Sequence, residues 1–146
     1  MHGERRVVSE VVMGEAALDV AALASGRTAD ASNGASVHFV GIVRGMEGGV
    51  PIWGLDYSSF ERMARRQFEL LVDAAGRRWP VASVRIYHRL GRVRAGDPSL
   101  WVEVAAAHRS EAFAACQWII DEMKRVVPIW KRVVPLGQQG AACLTR

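Results

Sequence analysis

Val127 stands immediately before Pro128, and that bond ends any helix that reaches it. The proline ring disfavours the helical region for the residue ahead of it and brings no N–H to the next turn. Upstream, Ser110 has the side chain of a helix cap and Glu111 a charge favoured in a first turn, so the spacing predicts a helix running through "EAFAACQWIIDEMKRV" to the proline. At 3.6 residues per turn, Ala112, Cys116, Ile119, Met123 and Val126 fall on its buried side. Asp121, Glu122 and Arg125 face water, and Lys124 falls at the margin beside Phe113, Gln117 and Ile120. Beyond the corner "IWKRVV" has strand character, and a period of two puts Lys131 on the side of Ile129 and Val133. From Val127 to Lys131 is at most about 14 Å of extended chain, so Lys124 and Lys131 are close enough to converge on one small ligand.

These are the only two lysines; the other seventeen of the nineteen basic residues are arginine. Arginine is a permanently charged planar fork, whereas lysine is a point charge whose pKa of about 10.4 falls on burial, so lysine more readily serves as nucleophile or proton donor. A net charge of +4 suggests an anionic partner: nucleic acid, a phosphorylated small molecule or an acidic protein surface. No five-residue run of like charge occurs, and the aromatics do not interleave with the arginines as a stacking platform requires, which leaves nucleic acid as runner-up.

Elsewhere, residues 14–25 fit a short helix and "GRTADASNG" a loop. "ASVHFVGIVRG" reads as a strand ending on Arg44, followed by the glycine-rich turn "GMEGGVP" and a second strand around "IWGLDYSS". Phe60, Met63, Ala64, Phe68, Leu71, Val72 and Ala75 form the stripe of an amphipathic helix, whose other face carries Arg62, Arg65, Arg66 and Glu69 into solvent. "SVRIYHRLG" and "SLWVEVAAA" read as strands separated by the turn "RAGDP". His88-Arg89 lies inside the first of these. His108-Arg109 lies where the second gives way to the helix, and there free N–H groups, the positive end of the helix dipole, an imidazole and a guanidinium together suit an anion.

With 146 residues, half of them hydrophobic, one domain with one core is expected, burying roughly two-thirds of its unfolded surface. No apolar run approaches the length of a membrane span and the N-terminus has no secretory pattern, so a soluble cytoplasmic protein is expected. Cys116 and Cys143 have neither metal nor disulfide spacing and are expected to be free thiols. No P-loop, nucleophile elbow, zinc spacing or carboxylate pair occurs, and no metal or cofactor is expected.

The order "GASVHFVGIVRG", "LDYSSFERMA", "RRWPVASVRIYHRLGRVRAGD", "VEVAAAHRSEAFAACQWIIDEMKRVVPIWKR" resembles the large, catalytic subunit of molybdopterin synthase over residues 34–132, leaving 133–146 as a tail. The resemblance implies an α+β fold of the alpha/beta-hammerhead type, a single domain with antiparallel strands and packed helices. It implies a sulfur transferase of molybdenum cofactor biosynthesis that converts cyclic pyranopterin monophosphate (precursor Z) to molybdopterin. Sulfur would come from the thiocarboxylated Gly-Gly C-terminus of a small ubiquitin-like subunit, with a homodimer of the large subunit at the centre of a heterotetramer. Carried over by position, Lys124 and Lys131 match the catalytic lysines, and Arg44, His108 and Arg109 match substrate-binding positions, with Arg132 and Phe39 as further candidates. Lys124 would contact the thiocarboxylate and assist acyl release, and Lys131 would hold the pterin intermediate and protonate its leaving oxygen. The tail, with Arg146, is a candidate to reach the other protomer. This chain has Val133 where the family usually has an acid and Ser58 where glutamate is common, which removes acidic neighbours that stabilise an ammonium group. Two alternatives are a diverged homologue that binds the partner without catalysis and a basic RNA-binding module.

Overall fold

The computed structural model describes residues 6–26 and 30–138. Its strands are β1 (Val8–Gly14), β2 (Ala35–Ile42), β3 (Met46–Glu47), β4 (Val50–Ser59), β5 (Val81–Arg89), β6 (Gly91–Arg94), β7 (Pro98–Ala106) and β8 (Ile129–Pro135). The helices are α1 (Val20–Ser25), α2 (Glu61–Arg78) and α3 (Arg109–Val126). The architecture is α+β, built on two sheets.

The larger sheet runs β1-β5-β7-β2. Residues 99–106 of β7 are buried on both faces, as expected of a central strand in a covered sheet. α2 and α3 pack against each other and against this sheet, and Phe68, Val72, Ile86, Val102, Val104 and Ile119 fill the space between with almost no exposed surface. The smaller sheet centres on β4, flanked by β6 and β8 and joined at its start by β3. Its own core is Val43, Ile52, Leu55 and Val93, with Tyr57 packed alongside. Where β4 passes β6, a Cβ on Gly54 would lie 2.1 Å from the Val93 carbonyl oxygen, so only glycine fits.

Several expectations are corrected. The helix over 14–25 begins only at Val20, because Gly14 pairs with Arg89 in the sheet and Asp19 caps the helix through a 3.0 Å bond from the Ala22 N–H. Residues 8–14, assigned to no strand from the sequence, form one that runs parallel to β5, while the other strand pairs are antiparallel as expected. Ser110 is not the cap of α3: the helix starts one residue before it, with His108 in extended backbone at the cap position and no side-chain capping bond. The apolar stripe on α2 is buried from Ala64 onward, but Phe60 and Met63 are 65% and 56% exposed, since among the described residues the packed core begins only at Ala64. Phe60 instead meets the Trp130 ring edge-on at 5.2 Å. The buried face of α3 is rotated slightly from the expected one: Ala115 and Ile120 are buried while Val126 is only half-buried. α3 does stop before the proline, and its last carbonyls are met by the Val127 N–H bonded to Met123. Cys116 is a buried free thiol; Cys143 and Arg146 lie outside the described residues.

Candidate active site

The corner at Pro128 is held from two sides. Ser59 Oγ donates to the Pro128 carbonyl at 3.1 Å, and the Ile129 N–H donates to the Val127 carbonyl at 2.8 Å. Lys124 therefore leaves from the last turn of α3, where a cation is favoured by the helix dipole, and Lys131 leaves from β8 opposite Tyr57 of β4. Both lysines line a cavity of about 640 Å³ between the large sheet, the end of α3 and the small sheet. That volume suits a small organic ligand. Arg44, just beyond β2, adds a third cation, and Phe39, Leu55, Leu100 and Met123 supply apolar wall.

Four polar residues outside the expected site set complete the lining: Glu47, Tyr57, His88 and Ser99. Tyr57 donates to Ser99 Oγ at 3.3 Å, and Ser99 in turn donates to the Gly41 carbonyl at 3.4 Å. The His88 ring meets Tyr57 edge-on at 5.1 Å. Its Nδ1 lies 2.8 Å from the Arg89 carbonyl, which can only accept, so Nδ1 carries the proton and Nε2 keeps its lone pair. Burial lowers the His88 pKa below its ordinary 6.5 despite that bond, and the ring is neutral near pH 7. Burial pushes the Cys116 thiol up to about 11, which leaves it a core residue and not a nucleophile.

The structure unites Lys124, Lys131, Arg44 and Phe39 but does not bring every candidate to the same place. His108 and Arg109 sit exposed at the opposite end of α3 from Lys124; sixteen residues of helix span about 24 Å. Arg132 alternates away from Lys131 and pairs with Asp56, its Nη2 3.1 Å from Oδ2. Val133 and Ser58, where acids were expected, are both exposed and line no part of the cavity. Among the missed residues, His88 had a legible signal, since a period of two places it with buried Ile86; Glu47 had none beyond its place in a glycine-rich turn. Among the described residues no helix is long and apolar enough to cross a membrane, and no three potential ligands gather to hold a metal.

Residues 13–126 match the family described as MoaE protein. The chain is 42% identical over 104 residues to a molybdopterin synthase catalytic subunit from Nostoc sp., covering 70% of this chain and 63% of that protein. It is 41% identical over 103 residues to one from Pyrococcus abyssi, covering 70% of each. The crystal structure of molybdopterin synthase from Staphylococcus aureus superposes with a TM-score of 0.78 at 28% identity, covering 88% of this chain and 91% of that one. A chain from the complex of subunits 1 and 2 of molybdopterin-converting factor from Helicobacter pylori superposes with a TM-score of 0.69 at 26% identity, covering 95% and 100%.

Proposed function

The chain belongs to the MoaE protein family, and from that membership we propose that it is the catalytic subunit of a molybdopterin synthase, an enzyme of molybdenum cofactor biosynthesis. It converts precursor Z to molybdopterin, taking sulfur from the thiocarboxylated Gly-Gly C-terminus of a small ubiquitin-like subunit. The observation that carries this reading is the meeting of Lys124 from the end of α3, Lys131 from β8 and Arg44 from the link after β2 around one cavity. Substrate phosphate and partner thiocarboxylate are both anions, and three cations around a half-enclosed space offset the repulsion between them. Arg44 offers the fork that suits phosphate oxygens. Lys124 neutralises the thiocarboxylate and assists acyl release; Lys131 holds the pterin intermediate and gives a proton to its leaving oxygen. Neither step uses Cys116, in keeping with sulfur that arrives on the partner.

His108 and Arg109 belong to the same substrate site if they reach it from a second copy of the chain, because the length of α3 keeps them from Lys124 within one protomer. A homodimer with two composite sites, each served by one small subunit, is the assembly this requires. The test is turnover of precursor Z by the purified chain with a thiocarboxylated small subunit. Lys124→Ala and Lys131→Ala are expected to lower turnover at least a hundredfold while still binding the small subunit. A parent chain that binds the small subunit without turnover would favour the partner-binding scaffold instead.

A further inference from the structure

Among the residues that line the cavity there is one carboxylate, Glu47, facing the company of Arg44, Lys124 and Lys131. A negative charge in a pocket for a phosphorylated substrate weakens binding unless it meets a donor on that substrate. Glu47 is not there to hold a cation of its own chain: among the described residues nothing forms a hydrogen bond or ion pair with its carboxylate. Nor is it loosely placed. It pairs with Val50 across a two-residue turn whose glycines, Gly48 and Gly49, have φ of +57° and +80°, the conformation that matches the twist of a tight hairpin. The Ile52 N–H donates to the Gly45 carbonyl at 3.0 Å and ties the base of the hairpin.

We propose that Glu47 is the specificity-determining residue for the pterin, its two carboxylate oxygens accepting from the 2-amino group and N3–H of the 2-amino-4-oxopyrimidine edge. The inference rests on the reading of the site as a pterin-transforming one. That edge offers two parallel donors, side by side, and a carboxylate is the side chain that accepts two such bonds at once. The competing acceptors in the cavity offer less: the Tyr57 and Ser99 hydroxyls are engaged with each other and with Gly41, and His88 has a single lone pair at Nε2. Three residues of chain, up to about 10 Å, separate Glu47 from Arg44, so one end of the hairpin can take the heterocycle's edge while the other takes the phosphate. The acid would then orient the substrate as well as select it.

The experiment is a fluorescence titration of the full chain, with the small subunit present, using free pterin and lumazine, which has a carbonyl where pterin has the 2-amino group. The parent is expected to prefer pterin by about tenfold to a hundredfold, the range of hydrogen bonds to a charged group. Glu47→Gln presents one acceptor and one donor, which suits lumazine, so the preference should collapse or reverse. A role confined to holding the hairpin would weaken both ligands alike and leave their ratio unchanged; that result, or a parent with no preference, overturns the proposal. Turnover of precursor Z is read separately. Turnover without a pteridine preference sinks the recognition role alone, whereas a preference that Glu47→Gln abolishes keeps that role even where the parent shows no turnover.

Discussion

At the scale of single residues, the buried acidic and basic side chains among the described residues, Glu103, Arg85 and His88, are held either paired or neutral. Glu103, 1% exposed, accepts from Arg85 Nε and Nη2, both at 2.9 Å, and lies 2.9 Å from His38 Nε2, while the Arg85 guanidinium stacks on Trp101 at 4.7 Å. His88 takes the other course and stays uncharged at the cavity floor. Its folded pKa is depressed, so an unfolded chain binds its proton more readily; the stability it contributes is present above 6.5 and is lost as pH falls through the folded value. The parent is therefore expected to melt at lower temperature as pH drops from 7.5 to 5, and His88→Gln to lose less over the same range; parallel melting curves for the two would contradict this. Composition made the lysines legible, because two point charges among arginines mark themselves. Glu47 was illegible for the opposite reason: its chemistry depends on which charges surround it, and two of those, Lys124 and Lys131, are distant along the chain.

At the scale of elements, periodicity located most of what packs and failed where packing was missing. The stripe on α2 was read correctly as a helix face, but a stripe in a sequence does not say where the covering element ends, and here it ends short of Met63. Phe68→Ala should accordingly cost about 3–5 kcal/mol in urea unfolding, whereas Phe60→Ala, losing only its edge contact with Trp130, should cost about 1 kcal/mol or less. Equal costs would mean that the first turn of α2 is covered after all. β1 escaped notice because only Val11 of its seven residues is buried, which leaves too little alternation to see. Pro128, by contrast, acts through its own ring, and the end of α3 was readable for that reason. A comparable local constraint governs Gly54: Gly54→Ala should destabilise the chain by about 3 kcal/mol, since the added Cβ meets the backbone of β6 and not a flexible side chain.

At the scale of the whole molecule, the separation of Lys124 from His108 carries the consequence for assembly. If each site takes Lys124 from one protomer and His108 from its partner, dissociated and re-mixed Lys124→Ala and His108→Ala chains, each inactive alone, form mixed dimers with one intact site of two. About a quarter of the parent activity should return, from half the dimers with half their sites, and no recovery would place all the residues of a working site in one copy. The division into two sheets has another consequence. The small sheet rests on a connected cluster of four buried hydrophobic residues, the large one on a cluster five times as populous, and the cavity runs along the seam between them. Local opening follows the thinner core, at a fraction of the free energy of global unfolding. Lys131 and Glu47 thus belong to the thinly cored sheet and Lys124 to the thickly cored body, so the two sides of one site rest on foundations of unequal depth.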